Sequence, residues 1–261
     1  MKKRFALLWM VVLLTLIVAG TVFAHDKGDL MLNIEPQIGL TVPNVGLRTD
    51  GMLWTKDDEY TKISQAGGNL GLNITAHYYF IDYVALNAGV GFLGNVYNIN
   101  IENDWRLDNT DENKLTLVIL TGHVTIPFGV RFSASAFAGG LGLIMNIPVM
   151  SSADWTVGQD SLSEKKFTLD PFAAWYVDVG FDMSGVKGAE GGFGMVARVS
   201  APFSNKIAKT TGLDPWGVEQ VELGEYDGPA KLSYDPFKYV SVSLVFQAAI
   251  QLGNFPIGGK K

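Results

Sequence analysis

The stretch that decides the fold is Asn69-Leu70-Gly71-Leu72-Asn73-Ile74-Thr75-Ala76-His77-Tyr78-Tyr79-Phe80. Its apolar set, Leu70, Leu72, Ile74, Ala76, Tyr78 and Phe80, alternates strictly with Asn69, Gly71, Asn73, Thr75, His77 and Tyr79. Successive side chains of a strand point to opposite faces, so the segment reads as a strand with one apolar and one polar face. The same period recurs on either side. Residues 32–42 set Leu32, Ile34, Ile38, Leu40 and Val42 against Asn33, Glu35, Gln37, Gly39 and Thr41. A third strand sets Val84, Leu86, Ala88, Val90 and Phe92 against Asn87, Gly89 and Gly91. The last, 239–252, sets Val240, Val242, Leu244, Phe246, Ala248, Ile250 and Leu252 against Ser241, Ser243, Gln247 and Gln251. Weaker alternation over 114–126, 130–145, 172–181 and 193–201 brings the expected number of strands to eight.

The connections predict how the strands are arranged. Three are short: Ile81-Asp82-Tyr83, Pro127-Phe128-Gly129 and the Gly-rich 184–190. Four, near 43–66, 102–113, 147–169 and 202–236, are long and polar. Short turns at one end and long loops at the other are the asymmetry of an outer-membrane barrel. The faces agree. A soluble barrel hides its apolar face, but here the polar face is rich in Gly, Asn and Ser and scattered with charges. An inverted barrel, apolar toward lipid and polar toward its lumen, also pairs every backbone group. The expected fold is therefore all-β: a closed antiparallel eight-stranded transmembrane β-barrel with short periplasmic turns and long extracellular loops.

Composition narrows the function classes. The chain has 261 residues, 20 basic and 26 acidic, with 30 Gly and no Cys. Without Cys there is no disulfide, thiol nucleophile or Cys-ligated metal. A net charge of −6 argues against nucleic acid as a partner. Lys2, Lys3 and Arg4, an apolar run over 5–19, and Val22 and Ala24 before His25 read as an export signal cleaved after Ala24. That makes 1–24 a signal peptide and 25–261 the barrel domain. Its removal takes three basic residues and leaves a net charge of −9. No apolar run long enough for a spanning helix follows.

With an export signal, eight alternating segments and long–short loop alternation, the chain resembles the small outer-membrane barrels of the OmpA, OmpX and OmpW type. The resemblance covers 30–252 and rests on architecture rather than on a motif. It implies an outer-membrane location, contact with outer-membrane lipid and a monomer without cofactors. Barrels of this type usually end on an aromatic residue; here Phe246 and Phe255 are the candidates, followed by a tail to Lys261.

Four features are candidate sites. By alternation Glu35, His77, Arg131, Asp178, Asp182 and Arg198 point into the lumen, either as a polar gate or as a network that fills it. Leu115, Leu117 and Ile119 share the inward phase of Thr121, His123 and Thr125, which would place an apolar patch near the outer mouth. The resemblance to OmpW-like proteins implies passage of small hydrophobic molecules there; the alternatives are that the outer half of this strand projects beyond the bilayer, or that a missed bulge swaps its faces. Trp54, Trp105, Trp155 and Trp216 fall one in each long loop, as anchors of a binding mouth or as interfacial aromatics. The loops are acidic, with Glu102, Asp104, Asp108, Asp111 and Glu112 in the second and Glu219, Glu222, Glu225 and Asp227 in the fourth, but no cation-loop motif is present. Catalysis finds little support, since His77 and His123 fall in the lumen phase and no G-x-S-x-G elbow occurs. Two functions follow: a narrow OmpW-like conduit for small solutes, or an adhesin-like surface protein acting through its loops around a plugged barrel.

Overall fold

The computed structural model describes residues 25–255, apart from 45–46, 50–51, 55–60, 104–113, 135, 158–159, 167–168, 185–190, 204–231 and 235–237. Among them run twelve strands: β1 (Asp29–Asn44), β2 (Leu47–Thr49), β3 (Met52–Trp54), β4 (Thr61–Ile81), β5 (Val84–Asn103) and β6 (Lys114–Ala134). Next come β7 (Phe137–Val157), β8 (Asp160–Lys166), β9 (Phe172–Asp182), β10 (Gly191–Pro202), β11 (Leu232–Tyr234) and β12 (Lys238–Asn254). Eight of them close a ring. β1 pairs β4, and β5, β6, β7, β9, β10 and β12 follow until β12 pairs β1, every pair antiparallel. β8 extends the sheet at the outer end of β7, and β2, β3 and β11 form a separate three-stranded sheet.

Register fixes the tilt. Paired residues traced once around the ring run Met31, His77, Asn87, Gly129, Gly142, Tyr176, Ser200, Ser241 and return to β1 at Thr41, ten residues beyond the start. A stagger of this kind tilts the strands by about 35–45° and leaves a lumen that side chains can fill.

The outer wall is apolar. Leu40, Leu70 and Phe193 are 72%, 67% and 60% exposed, and the outward residues of β12 from Val240 to Leu252 are exposed too. Soluble monomers rarely expose apolar patches above a few hundred Å², so a wall of this extent requires lipid. The inward face is buried and polar, as with Asn33, Glu35, Gln37 and Thr41 on β1.

Two sequence readings need correction. Pro127-Phe128-Gly129 is no turn: β6 runs through it to Ala134, and the reversal falls between Ala134 and Phe137. Proline lacks the N–H of a ladder bond. The barrel accommodates this, because β6 pairs β5 at Phe128 and again at Thr125 with a gap at Ile126 and Pro127, while Pro127 stays paired to Ile144. The long loops are also shorter than expected. β4 starts at Thr61, β5 reaches Asn103, and β7 reaches Val157 before β8 returns, so 43–66, 102–113 and 147–169 all contain strand. Beyond the bilayer the outward face meets water and turns polar while the inward face stays covered, as with exposed Asn98 beside buried Ile99 on β5. The apolar-out, polar-in pattern of the spanning part ends there while the ladder continues.

Candidate functional site

Alternation carries all six charged candidates inward, and register brings them into one layer across the inner half of the lumen. Glu35, His77, Arg131, Asp178, Asp182 and Arg198 are each buried. Arg198 and Asp178 face each other as a register pair of β10 and β9. Nε and Nη2 of Arg198 donate to the two carboxylate oxygens of Asp178, both at 2.8 Å. The same guanidinium lies 4.7 Å over the Tyr176 ring and 3.6 Å from Glu35 Oε2. Arg131 Nη2 donates to Asp182 Oδ2 and to Gln247 Oε1, each at 2.7 Å.

Glu35 joins the two halves. Its Oε1 accepts Gln247 Nε2 at 3.0 Å and Thr75 Oγ1 at 2.9 Å, and lies 3.6 Å from His77 Nε2. Three carboxylates thus meet two guanidiniums, and neutral donors serve the third. A buried ion pair without such partners would lose more hydration than its Coulomb attraction returns. This layer crosses the lumen from β1 to β6, β9, β10 and β12.

Tyr176 shows why the neighbouring wall is glycine. A Cβ on Gly142 would lie 2.8 Å from the Tyr176 ring and 2.3 Å from the Phe128 carbonyl, and one on Gly129 would lie 2.7 Å from the Tyr176 hydroxyl. The bare backbone lets the ring lie flat against β6 and β7, where Asn87 Nδ2 donates to its hydroxyl at 2.8 Å.

Nearer the periplasmic end, Asp182 Oδ1 takes both the amide and the hydroxyl of Ser184. Ser184 Oγ lies 3.3 Å from His25 Nε2, and the His25 ring stacks on Tyr79 with centroids 4.0 Å apart. Tyr79 in turn meets Ser133 at 3.1 Å.

The outer half is a second layer. Thr41, Asn69, Ser241 and Ser243 form a hydrogen-bonded cluster. Above it Tyr97, Phe172 and Tyr239 pack with centroids 6.2–6.3 Å apart, and His123 meets Phe172 edge-on at 5.5 Å. Ile119 is buried at this level, in the predicted inward phase. Leu115 and Leu117 continue that register on β6, but their side chains lie outside the described residues. Trp105 and Trp216 also lie outside them, as does most of the acidic loop sequence. Trp54 stands on β3 and Trp155 on β7, within strands rather than loops, with side chains outside the described set. Among the described residues no group of His, Cys, Asp or Glu could hold a metal ion.

Sequence reasoning missed Gln247, the bridge between Arg131 and Glu35, and the inward aromatics Tyr79, Tyr97, Tyr176 and Tyr239. All sit on polar-phase positions, and an aromatic ring in that phase is the signal that finds them.

A sealed ring of eight antiparallel strands, apolar outside and polar within, is now complete. It has the architecture of a small outer-membrane β-barrel. No protein-family model matches the chain, and no curated protein matches it in sequence. Solved structures similar to it include OprG, an outer membrane protein from Pseudomonas aeruginosa, at 14% identity and a TM-score of 0.39, covering 87% of this chain and 97% of that one. Ail, the attachment invasion locus protein of Yersinia pestis, is 13% identical with a TM-score of 0.33, covering 86% and 99%. The outer membrane protease OmpT from Escherichia coli is 8% identical with a TM-score of 0.35, covering 90% and 100%. Likeness this distant carries nothing about activity.

Proposed function

We propose that the protein is an exported, monomeric outer-membrane barrel closed to through-flow, acting as an adhesin-like surface protein at its outer end. Residues 1–24 direct export and are removed by cleavage after Ala24. One observation carries this reading: the buried layer of Glu35, Arg131, Asp178, Asp182, Arg198 and Gln247 meets across the lumen at hydrogen-bond distance. Moving a solute through it would separate buried charges from the partners that compensate their lost hydration.

The strand lengths support the outer end as the working part. β9 and β10 have 11 and 12 residues, whereas β4, β6 and β7 have 21 each. At a rise of about 3.3 Å per residue and a tilt of about 40°, these span about 28 Å and about 53 Å. The short strands match an apolar band of about 25 Å, so the β4–β7 side projects well beyond it. It carries the connections that follow β5 and β7, while the 202–236 connection joins β10 to β12 on the shorter side.

A conduit for small hydrophobic solutes is the second reading, favoured by Ile119 beside Tyr97, Phe172 and Tyr239 in the outer lumen. Flux into proteoliposomes separates the two. The closed reading expects entry of a small sugar and of a small apolar solute at the rate of protein-free vesicles. Protein-dependent entry of the apolar solute, abolished by Ile119→Glu, would establish the conduit instead.

A further inference from the structure

We propose that residues 25–28 form a detachable stopper in the periplasmic mouth, anchored by His25, which undocks without disturbing the charged layer above it. The segment turns back under the barrel at Gly28, whose φ of 97° favours glycine. Its amide donates to the Tyr79 carbonyl at 2.7 Å, and its own carbonyl accepts the Phe255 amide at 2.6 Å. The Lys27 amide donates to Asp82 Oδ1 and the Lys27 carbonyl accepts Asn254 Nδ2, so the strap is tied to a turn and to the end of β12. Asp26 and Lys27 are exposed, while His25 is 4% exposed. Tyr79, on which the ring stacks, belongs to a buried cluster with Met31, Ala85 and Ala249 that forms the floor of this mouth.

Chemistry makes His25 the release point. Ser184 spends its hydroxyl proton on Asp182, so its oxygen accepts from His25, which places the proton of the neutral ring on Nε2. The ring faces Asp182 and Ser184 from β9 and its turn, Asp29 from β1, His77 and Tyr79 from β4, and Arg131 from β6. Burial holds its pKa below the ordinary 6.5, with Asp182 and Asp29 opposing that effect. The docked segment therefore binds a proton less readily than the free one. Docking is strongest above pH 6.5 and weakens as pH falls through that value. A strap held by a few hydrogen bonds and one ring belongs to the low-stability end of the molecule, far below the closed ladder.

The chain has no Cys, so one can be placed at will. Ala85→Cys puts a thiol in the floor, at a position 0% exposed, and Ala249→Cys is the alternative should the first variant not fold. Protein isolated from the membrane is treated with a charged thiol reagent, its rate normalised to Ala136→Cys on an exposed turn to cancel thiolate chemistry. At about pH 7.5 the floor thiol is expected to react at least about tenfold more slowly than the reference. His25→Ala and a fall to about pH 5 should each remove most of that protection. His25→Phe, which keeps the ring and cannot titrate, should retain it at both pH values. Equal labelling with and without the His25 ring, or protection that ignores pH in the unaltered chain, overturns the proposal. The proposal goes beyond the closed-lumen reading, whose own failure would appear as solute flux whatever the labelling rates.

Discussion

Arg198 is the side chain on which the lumen most depends, because it serves Asp178, Glu35 and the Tyr176 ring together. Truncating it strands the buried Asp178 carboxylate and takes the nearest cation from Glu35 Oε2. Arg198→Ala should therefore cost about 3–5 kcal/mol in denaturant unfolding of the refolded barrel. Adding Asp178→Ala should cost clearly less than the sum of the two single changes. The Arg131→Ala and Glu35→Ala cycle should show weaker coupling, since Gln247 stands between the two charges. Additivity in the Arg198–Asp178 cycle would refute the network. The inward phase of these residues was legible in the sequence because each has apolar, outward-phase neighbours beside it, even where the alternation is weak. Their pairing was not. Which charges share a level depends on the stagger between strands as well as on the period of any one strand.

Elements were legible where both faces meet unlike surroundings, as in β12, whose apolar residues face lipid and whose Ser241, Ser243 and Gln247 face the lumen. They were not legible in the outer parts of β4, β5 and β7, where the apolar-out, polar-in pattern gives way, as at exposed Asn98 beside buried Ile99. A turn was misplaced for a different reason: Pro127-Phe128-Gly129 carries the local chemistry of a reversal, but pairing on both sides of β6 overrode it. Glycine at the lumen wall has its own role. Gly142 and Gly129 face each other across β6 and β7 and leave room for Tyr176. Gly142→Val should push the ring from its seat, loosen the Asn87 bond and the Arg198 contact, and cost about 1–3 kcal/mol by overpacking. Gly139→Val faces the outer wall, where the nearest atoms lie at 3.4 Å or more, and should cost much less. Equal unfolding midpoints for the two variants would contradict the packing described.

At the scale of the whole molecule, the chain is a lipid-facing ring around two stacked layers, charged near the periplasm and aromatic near the outside. Closure of the ring satisfies the backbone, and the ten-residue stagger sets a lumen narrow enough for side chains to fill. β4, β6 and β7 outlast β9 and β10, so their outer ends stand beyond the apolar band, and we place recognition at that end rather than in the lumen. The six residues of the charged layer close the barrel only if their contacts persist in a bilayer. Single-channel recording of the refolded protein in a planar membrane tests this most directly. A closed lumen gives no steady ionic current for the unaltered chain, and current appears when Arg131 and Arg198 are both replaced by Ala. A steady open conductance in the unaltered chain, unchanged by those replacements, would contradict it.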